Sequence, residues 1–429
     1  MRIDKNTTIK LGDKNIVRIK IGDSVIWEKK TVVDADYFYI ESLGDGNTVS
    51  VKNKGDGNTS GVTPTLEYST DKNTWNTITF NWASGNHTTE LPVKLNTGEK
   101  MYFRNDTRLF SNTHNKYITF SSSVSSNVGG DIRTLSNYLD VDSETTTQSY
   151  MFYYLFYNNK NIVDASNLRL PYTTLASSCY SCMFYGCTSL TTAPTELPAT
   201  TLANYCYSWM FHGCTSLTTA PTELPATTLA ENCYYRMFYD CTSLTTAPTE
   251  LPATTLPKNC YKEMFRGCTS LVNAPELPAT TLEYSCYFSM FFGCTSLVNA
   301  PQLPATKLAY TCYSYMFYNC TSLVNAPELP ATNLVNNCYD YMFYGCTSLV
   351  NAPQLPATYL TGECYLNMFA NCSSLNSITV YADNINANRC TSGWLSGVAS
   401  TGTFRNLGSA TYTKDSVSGI PVGWVEVKE

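Results

Sequence analysis

Apolar and polar positions recur from Cys179 onward in a unit that reads C-Y-x-x-M-F-x-x-C-T-S-L-x-x-A-P-x-L-P-A-T-x-L-x-x-x, with a step of 27 residues in the early units and 26 in the later ones. A fixed period of this length is typical of a solenoid, in which stacked repeats bury faces that no single repeat buries alone. The two cysteines of the units are Cys179 and Cys187, Cys206 and Cys214, Cys233 and Cys241, Cys260 and Cys268, Cys286 and Cys294, Cys312 and Cys320, Cys338 and Cys346, and Cys364 and Cys372.

Each unit contains two patterns that predict secondary structure. Cys312, Met316 and Cys320 stand at i, i+4 and i+8, the spacing of one helical face. The following residues 323–329 carry Leu, Ala and Leu in a short stretch broken by proline, which predicts a brief extended segment. We therefore expect one short helix and one short strand per coil.

The ends of the repeat predict caps. Residues 155–159 (LFYNN) align with the M-F-x-x-C segment, while the pattern decays after Cys372 into a tail rich in Gly, Ser and Thr. Terminal repeats of solenoids are commonly atypical in this way. We predict a leucine-rich-repeat-like solenoid over residues 146–390 and a β-rich C-terminal cap over 391–429.

Residues 32–145 predict an all-β sandwich, because short strand candidates alternate with turn sequences. The turn sequence Asp45-Gly46-Asn47 and its copy at residues 56–58 also allow a calcium-loop interpretation, but no Glu follows at the spacing that completes such a loop. We favour turn formation. The strand candidates are residues 37–40, 49–51, 66–68, 77–80, 101–103 and 117–120.

Residues 1–31 form a third segment, in which I-K-L-G-D recurs ten residues later as I-K-I-G-D and is followed by Ile-Trp. Two strands with Gly-Asp turns are too little to fold alone. The segment therefore predicts an assembly anchor that docks on a partner through Ile9, Leu11, Ile19, Ile21, Ile26 and Trp27.

Composition and apolar patterning argue against two classes of function, nucleic-acid binding and membrane insertion. Charged residues make up 14% of the chain, the net charge is −6, and Lys and Arg are scattered, so we expect no nucleic-acid partner. No apolar stretch approaches the roughly 18–20 residues that cross a bilayer, so we expect no membrane insertion. The first residues lack the apolar core of a secretory signal, which favours a product made in the cytoplasm.

Eighteen cysteines fall between Cys179 and Cys390. Three interpretations apply: small buried apolar side chains, disulfides between adjacent coils, or a metal site. The C-x7-C spacing is too long for a zinc-binding pair, so we expect no metal, and the reducing cytoplasm favours packing over disulfides. Cys182 is out of register with the other units and is the best candidate for an exposed thiol.

The sequence favours a protein that is not an enzyme and needs no cofactor. Three histidines, His87, His114 and His212, have no companion nucleophile motif. The carboxylates occupy one repeated position, which predicts a solvated row and not the irregular pair of a glycosidase. That position holds Glu196, Glu223, Glu250, Glu276 and Glu328, with Gln302 and Gln354 in other units.

Two variable positions are candidates for a ligand-binding surface, because a solenoid aligns equivalent residues into stripes. Aromatic rings with amide neighbours suit a sugar or a protein partner. The alternative is that the rings pack on one another and only cover the coil. The candidate residues are Tyr185, Trp209, His212, Tyr239, Arg266, Phe292, Tyr315, Tyr318, Tyr341 and Tyr344.

The M-F-x-x-C-T-S-L core, as at Phe184, Cys187 and Leu190, resembles the A-F-x-x-C-x-x-L signature of BspA-like leucine-rich repeats over roughly residues 155–380. The units are longer than in that family and add C-Y and a proline-rich segment. Such repeats occur in bacterial surface adhesins and in proteins of gut bacteria and their phages.

The first 30 residues are similar to short N-terminal segments of phage tail and fibre proteins. Together the two resemblances imply a phage virion protein of fibre or decoration type, located on the virion surface. Its N-terminus would contact other virion proteins, its solenoid would attach to a host surface protein or glycan, and a homo-oligomer such as a fibre trimer would be compatible. The alternatives are a bacterial cell-surface adhesin and, third, a glycan depolymerase.

Overall fold

The computed structural model describes residues 36–55, 65–80, 82–83, 85–105, 115–139, 141, 144–415 and 417–428, together with the backbone of four short strands between residues 9 and 28. These strands are β1 (Ile9–Leu11), β2 (Lys14–Ile16), β3 (Arg18–Ile21) and β4 (Ser24–Glu28), paired antiparallel as β1–β2 and β3–β4. Each copy of the I-K-x-G-D sequence thus opens a hairpin of its own, where we had expected one strand per copy. The side chains of the predicted anchor lie outside the described residues.

Two facing β-sheets follow, as the sequence predicts. Phe38 of one sheet packs against Phe120 of the other at 5.3 Å between ring centroids, and Phe103 lies 4.8 Å from Phe120. The strands are β5 (Phe38–Ser42), β6 (Asn47–Gly55), β7 (Thr65–Ser69), β8 (Asn76–Thr79), β9 (Gly85–Leu95), β10 (Lys100–Arg104), β11 (Tyr117–Ser122), β12 (Ser126–Asp131) and β13 (Ile162–Arg169). The six-stranded sheet has the order β13-β12-β5-β10-β7-β8 and the three-stranded sheet the order β11-β6-β9.

The sandwich and the solenoid share main-chain pairing. Strand β12 pairs antiparallel with β5 and parallel with β13, the first strand of the repeat region. From Asp164 of β13 a row of parallel bridges continues through Thr192, Thr219, Thr246, Asn273, Asn299 and Asn325 to Asn351. Strands β16 (Asn351–Leu355), β17 (Ser377–Val380), β18 (Gly402–Asn406) and β19 (Trp424–Lys428) extend it in parallel. The predicted domain boundaries cut across this continuous pairing and stay predictions.

The repeat region is a β-solenoid of about seven turns. A second row of parallel bridges joins Thr146, Thr174, Thr201 and Thr228 on another face. Further along that face lie β14 (Thr255–Leu256) and β15 (Thr281–Leu282), which pair in parallel. The segment from the first to the second cysteine forms a third face, which we call the turn face.

The prediction of one helix per coil is wrong. Within the described residues the one helix is α1 (Thr134–Asn137), which lies before the solenoid. On the turn face every fourth residue has a positive φ, as at Thr311, Tyr315 and Asn319, and a right-handed helix does not accommodate such residues. The i, i+4, i+8 spacing therefore reflects a four-residue turn repeated along the coil.

Hydrogen bonds on the turn face alternate between two directions. The amides of Met316 and Cys320 donate within their own coil, to the carbonyls of Tyr313 and Phe317. The amides of Tyr313 and Phe317 donate instead to Cys338 and Met342 of the next coil. Half of the amides thus bond along the solenoid axis, which an α-helix would not permit.

The invariant side chains of the unit fill the interior. Rings at the position of Tyr313 stack from coil to coil at 5.5–6.2 Å, from Tyr180 to Tyr365. Phe317 belongs to a second stack of rings that begins with Phe156 and Phe184. Phe38 and Phe120 of the sandwich contact Phe156 in tilted geometry. One hydrophobic core thus joins the sandwich to the last strand.

All eighteen cysteines are free and buried, as the packing interpretation predicts. The second cysteine of each unit donates its thiol to the phenylalanine carbonyl of the preceding coil, as Cys320 does to Phe291 at 3.1 Å. Burial raises the pKa of the Cys320 thiol well above its ordinary value. The expectation that Cys182 is exposed is wrong, because its side chain is 7% exposed. Its backbone has a left-handed conformation, and its side chain lies beside the rings of Tyr153 and Tyr154.

Thr311→Asn tests the left-handed backbone. A β-branched residue in the left-handed region is strained, and Thr311 has φ 54°, whereas Asn occupies the equivalent position at Asn232, Asn259 and Asn337. We expect the substitution to raise the free energy of unfolding by about 0.5–1 kcal/mol in chemical denaturation. The matched control is Thr321→Asn, at a half-buried threonine outside the set with positive φ. Equal effects at the two positions would contradict the assignment of strain.

Cys320→Ser tests the packing role of the cysteines. A hydroxyl replaces a polarisable sulfur in a fully buried site, so we expect a loss of about 1–3 kcal/mol in the free energy of unfolding. Cys320→Ala, which removes the sulfur without adding a hydroxyl, is the control. An unchanged melting temperature for both variants would show that the site does not depend on the thiol.

Candidate functional site

The variable residue two places before the second cysteine forms a continuous stack on the turn face, which we call the outer stack. Tyr185 lies 4.5 Å from His212, which lies 4.6 Å from Tyr239, and both pairs are close to parallel. The ring of Phe292 is 4.5 Å from that of Tyr318, with 6° between the planes. The whole stack comprises Tyr157, Tyr185, His212, Tyr239, Arg266, Phe292, Tyr318 and Tyr344.

Arg266 occupies a position in the middle of the outer stack where the adjacent coils have aromatic rings. Its guanidinium carbon lies 3.8 Å from the ring centroid of Phe292 and 5.6 Å from that of Tyr239. Its Nε also donates to the Tyr239 hydroxyl at 3.2 Å. A planar cation between two rings keeps the stack continuous through a cation–π interaction.

A second row, one residue before the methionine, runs beside the outer stack. Tyr315 and Tyr341 stack at 4.6 Å, and Trp209 lies 5.0 Å from His212. Between them Arg236 contacts Trp209 and pairs with Glu263 of the next coil, with 2.7 Å between Nε and Oε2. The ten candidate residues thus lie together on one face.

The packing interpretation of these residues is met in part, and ligand binding through them stays a prediction. The rings do pack on one another, so their faces are covered by neighbours, but all ten side chains remain partly exposed. Ring edges and tyrosine hydroxyls therefore reach solvent within the stack. Edges and hydroxyls suit hydrogen bonding to a partner better than they suit stacking on a sugar.

His212 has an altered protonation equilibrium in this environment. Burial between Tyr185 and Tyr239, followed by the charge of Arg236, lowers the pKa of His212 to about 4. The imidazole is neutral at physiological pH. It therefore serves as an aromatic member of the stack.

The row of repeated glutamates lies on a different surface and is exposed, as predicted. In the early coils it borders a groove of about 370 Å³ lined by Thr195, Glu196, Pro198, Glu223 and other residues. Glu250 and Glu276 of adjacent coils are directly bridged through their main chains. Like charges one coil spacing apart repel each other, so this row costs stability and contributes solubility.

The Asp-Gly-Asn turn between β5 and β6 fits turn formation. The Asp45 carboxylate accepts from the amide and hydroxyl of Thr97 at 2.9 and 2.8 Å, which lowers the pKa of Asp45. The copy at residues 56–58 lies outside the described residues, as does His114. Among the side chains that the structure describes, no group of three or more His, Cys, Asp or Glu is placed to hold a metal ion.

Comparison with protein families identifies the repeat. Six copies of the model for a BspA type leucine rich repeat region match residues 145–272, 177–298 and 258–391, together more than half of the chain. The chain belongs to the BspA-type leucine-rich repeat family. This confirms the resemblance seen in the M-F-x-x-C-T-S-L core.

The BspA-type assignment applies to the solenoid. No curated protein and no solved structure matches the chain. In the part of the chain that the structure describes, no helix has the length and hydropathy to span a bilayer. The family match therefore establishes the fold of the repeat, and it does not identify a ligand.

Three residues outside the ten candidates also belong to this surface. Tyr157 begins the outer stack, Arg236 joins the two rows, and Tyr154 contacts Tyr157 at 4.3 Å. The Gly, Asn or Asp that recurs directly before the second cysteine is the sequence feature that could have predicted the turns of this face. These residues tolerate positive φ, which argues against a helix there and for a turn that places neighbouring residues on one face.

His212→Tyr tests the stack through pH. The folded state lowers the pKa of His212 to about 4, whereas in the unfolded state this pKa is about 6.5. As pH falls from about 6.5 towards 4, the unfolded state takes up a proton that the folded state does not, so the free energy of unfolding decreases. Tyrosine, as at position 185, keeps the ring and removes this titration. We expect the melting temperature of the variant to exceed that of the parent by a margin that grows as pH falls.

The control is His212→Phe, which keeps a ring without a hydroxyl and should show the same trend. Thermal unfolding at several pH values between 4 and 7.5 gives the comparison. A constant margin across that range would mean that His212 titrates alike in both states.

Proposed function

We propose that the chain is an adhesin-like binding protein that attaches to a surface through the turn face of its solenoid and carries out no catalysis. The observation that carries this proposal is the division of each coil into a constant interior and a variable aromatic exterior. Cys312, Tyr313, Met316 and Phe317 and their equivalents are buried in every unit. Variation between coils includes the outer stack and the second row, and it extends to the residue after the buried tyrosine and to the three residues before the first cysteine.

Backbone conformation gives independent support. Trp209, Tyr315 and Tyr341 have φ of 61°, 57° and 53°, a region where Gly or Asn costs least. A bulky ring at such a position loses about 1 kcal/mol or more of stability. Ring stacking between Tyr315 and Tyr341 offsets part of this loss. Retaining exposed aromatic rings at strained positions favours a role in binding.

The chemistry of the face favours binding over turnover. His212 is held neutral between two rings, and the repeated glutamates lie in an exposed row on another surface. A glycosidase needs two carboxyl groups on opposite sides of one bond. We therefore propose recognition of a protein or glycan, and we do not favour depolymerase activity.

The bacterial surface is the favoured location for this activity. The family match covers residues 145–391 and corresponds to repeats found in surface adhesins. The virion interpretation depends on residues 1–31, whose side chains lie outside the described residues. Docking of that segment on virion proteins and assembly into a fibre trimer thus stay predictions.

The test is attachment of the full chain to intact bacterial cells, epithelial cells and a mucin-coated surface. Tyr318→Ser combined with Tyr344→Ser should reduce attachment at least tenfold on the surface that binds the parent. Loss of these two stacked rings should cost about 1–3 kcal/mol of stability and leave a cooperative unfolding transition, because the interior is unchanged.

The matched control is Tyr284→Ser combined with Tyr310→Ser. These tyrosines are also stacked on adjacent coils, at 5.8 Å, and are 42% and 50% exposed, but they lie outside the two rows. The control should attach like the parent. The proposal is wrong if the parent attaches to none of the three surfaces, or if the control loses attachment and the test variant keeps it.

A further inference from the structure

The outer stack ends in two different ways. At its N-terminal end Tyr157 contacts Tyr154 at 4.3 Å, and Tyr154 stacks on Tyr153 at 4.0 Å. Tyr117 of β11 then contacts Tyr154 at 4.9 Å. The first coil and the sandwich therefore cover this end of the stack.

The C-terminal end of the stack has no further ring. Tyr344 stacks on Tyr318 at 4.6 Å with 2° between the planes, but the next coil offers Ala370 at the equivalent position. Tyr341 stacks on Tyr315 at 4.6 Å, and its successor is Asn367. Among the described residues no aromatic ring lies on the C-terminal side of either tyrosine. Both rows thus end at the same coil.

This change in side-chain size produces a step in the surface. The next coil along has Gly393 and Ser396 at the positions of Tyr341 and Tyr344, so small residues continue to the end of the turn face. Ala370 itself is buried, with 3% of its surface exposed. We define the step as Tyr341, Tyr344, Asn367, Ala370 and Asn371.

Two amides border the step. The Asn371 Nδ2 donates to the Tyr344 hydroxyl at 2.8 Å and fixes that ring. The Asn367 side chain lies against Gly393, where an added Cβ would meet its Oδ1 at 2.0 Å, so it is directed away from Tyr341. Each amide both donates and accepts hydrogen bonds, which matches the hydroxyls of a sugar.

The charges near the step are already satisfied. Between residues 338 and 397 the charged side chains are Asp340, Glu363, Asp383 and Arg389. Arg389 pairs with Glu363 at 3.2 Å, Asp383 accepts from Ser409, and Asp340 is 7% exposed and accepts from Ser314 and Asn337. An uncharged ligand therefore fits better than an acidic or basic one.

We propose that the step is a subsite for a neutral pyranose, which lays its apolar C–H face on the open ring of Tyr344 and hydrogen-bonds through its hydroxyls to Asn367 and Asn371. The inference rests on the proposed binding function and names the ligand class for one end of the same surface. Within the stack each ring face is covered by the next ring, so among the described members of the two rows Tyr341 and Tyr344 are the rings followed by small residues and amides in the next coil. A single hexose on one ring is expected to bind with a dissociation constant on the order of 1 mM.

The decisive variant is Ala370→Tyr, which extends the outer stack by one coil and covers the open face of Tyr344. The probes are methyl glycosides of glucose, galactose and mannose, observed by saturation-transfer NMR with the full chain. We expect at least one sugar to bind the parent and its affinity to fall at least tenfold in the variant. Because Ala370 is 3% exposed, we expect the larger side chain to lower the melting temperature while the variant stays folded.

Two further variants support the comparison. Gln302→Tyr adds one tyrosine at an exposed, uncharged position of the glutamate row and should bind sugar like the parent. Tyr344→Ala removes the ring without adding bulk and should lose binding, which keeps the inference testable if Ala370→Tyr fails to fold.

The outcomes separate this inference from the proposed function. Attachment to cells or mucin without binding of any of the three sugars would overturn the pyranose subsite and leave the adhesin proposal standing. Equal sugar binding by the parent and by a folded Ala370→Tyr or Tyr344→Ala variant would also overturn the subsite. A parent that neither attaches to a surface nor binds a sugar would refute both.

Discussion

Hydrogen bonding between coils is the constraint on which the rest of this structure depends. Amides such as those of Tyr313 and Phe317 donate to the next coil, so each coil must repeat the backbone of its neighbour in register. Left-handed residues at every fourth position turn the amides into that direction. A coil with another backbone would leave buried polar groups without partners, at a cost of about 1–3 kcal/mol each.

The same register explains the division between the interior and the surface. Side chains at equivalent positions meet directly, so the interior is most stable when identical residues stack, as the buried tyrosines and phenylalanines do. A change in the interior affects both adjacent coils, whereas a change on the turn face alters only a surface contact. Differences between coils therefore occur at surface positions, and in the outer stack they create a surface that is continuous but not uniform.

The sandwich contributes to the solenoid as its N-terminal cap. Strand β12 supplies parallel pairing to β13, and Phe38 and Phe120 contact Phe156, which begins a stack of rings in the solenoid. An uncovered first coil would expose both an apolar face and unpaired main-chain groups. Because one end of the outer stack is thereby covered, the open ring faces are confined to the opposite end, near Tyr344.

The sequence by itself determined the repeat, its family, the buried cysteines and the identity of the variable aromatic residues, because periodicity and burial follow directly from residue type. It also located most strands of the sandwich. It could not separate a helix from a succession of tight turns, since Cys312, Met316 and Cys320 share one face in either. Only the tertiary structure showed that rings such as Tyr318 cover one another while Tyr344 remains open. That distinction depends on contacts between coils about 26 residues apart, which the pattern within one coil does not contain.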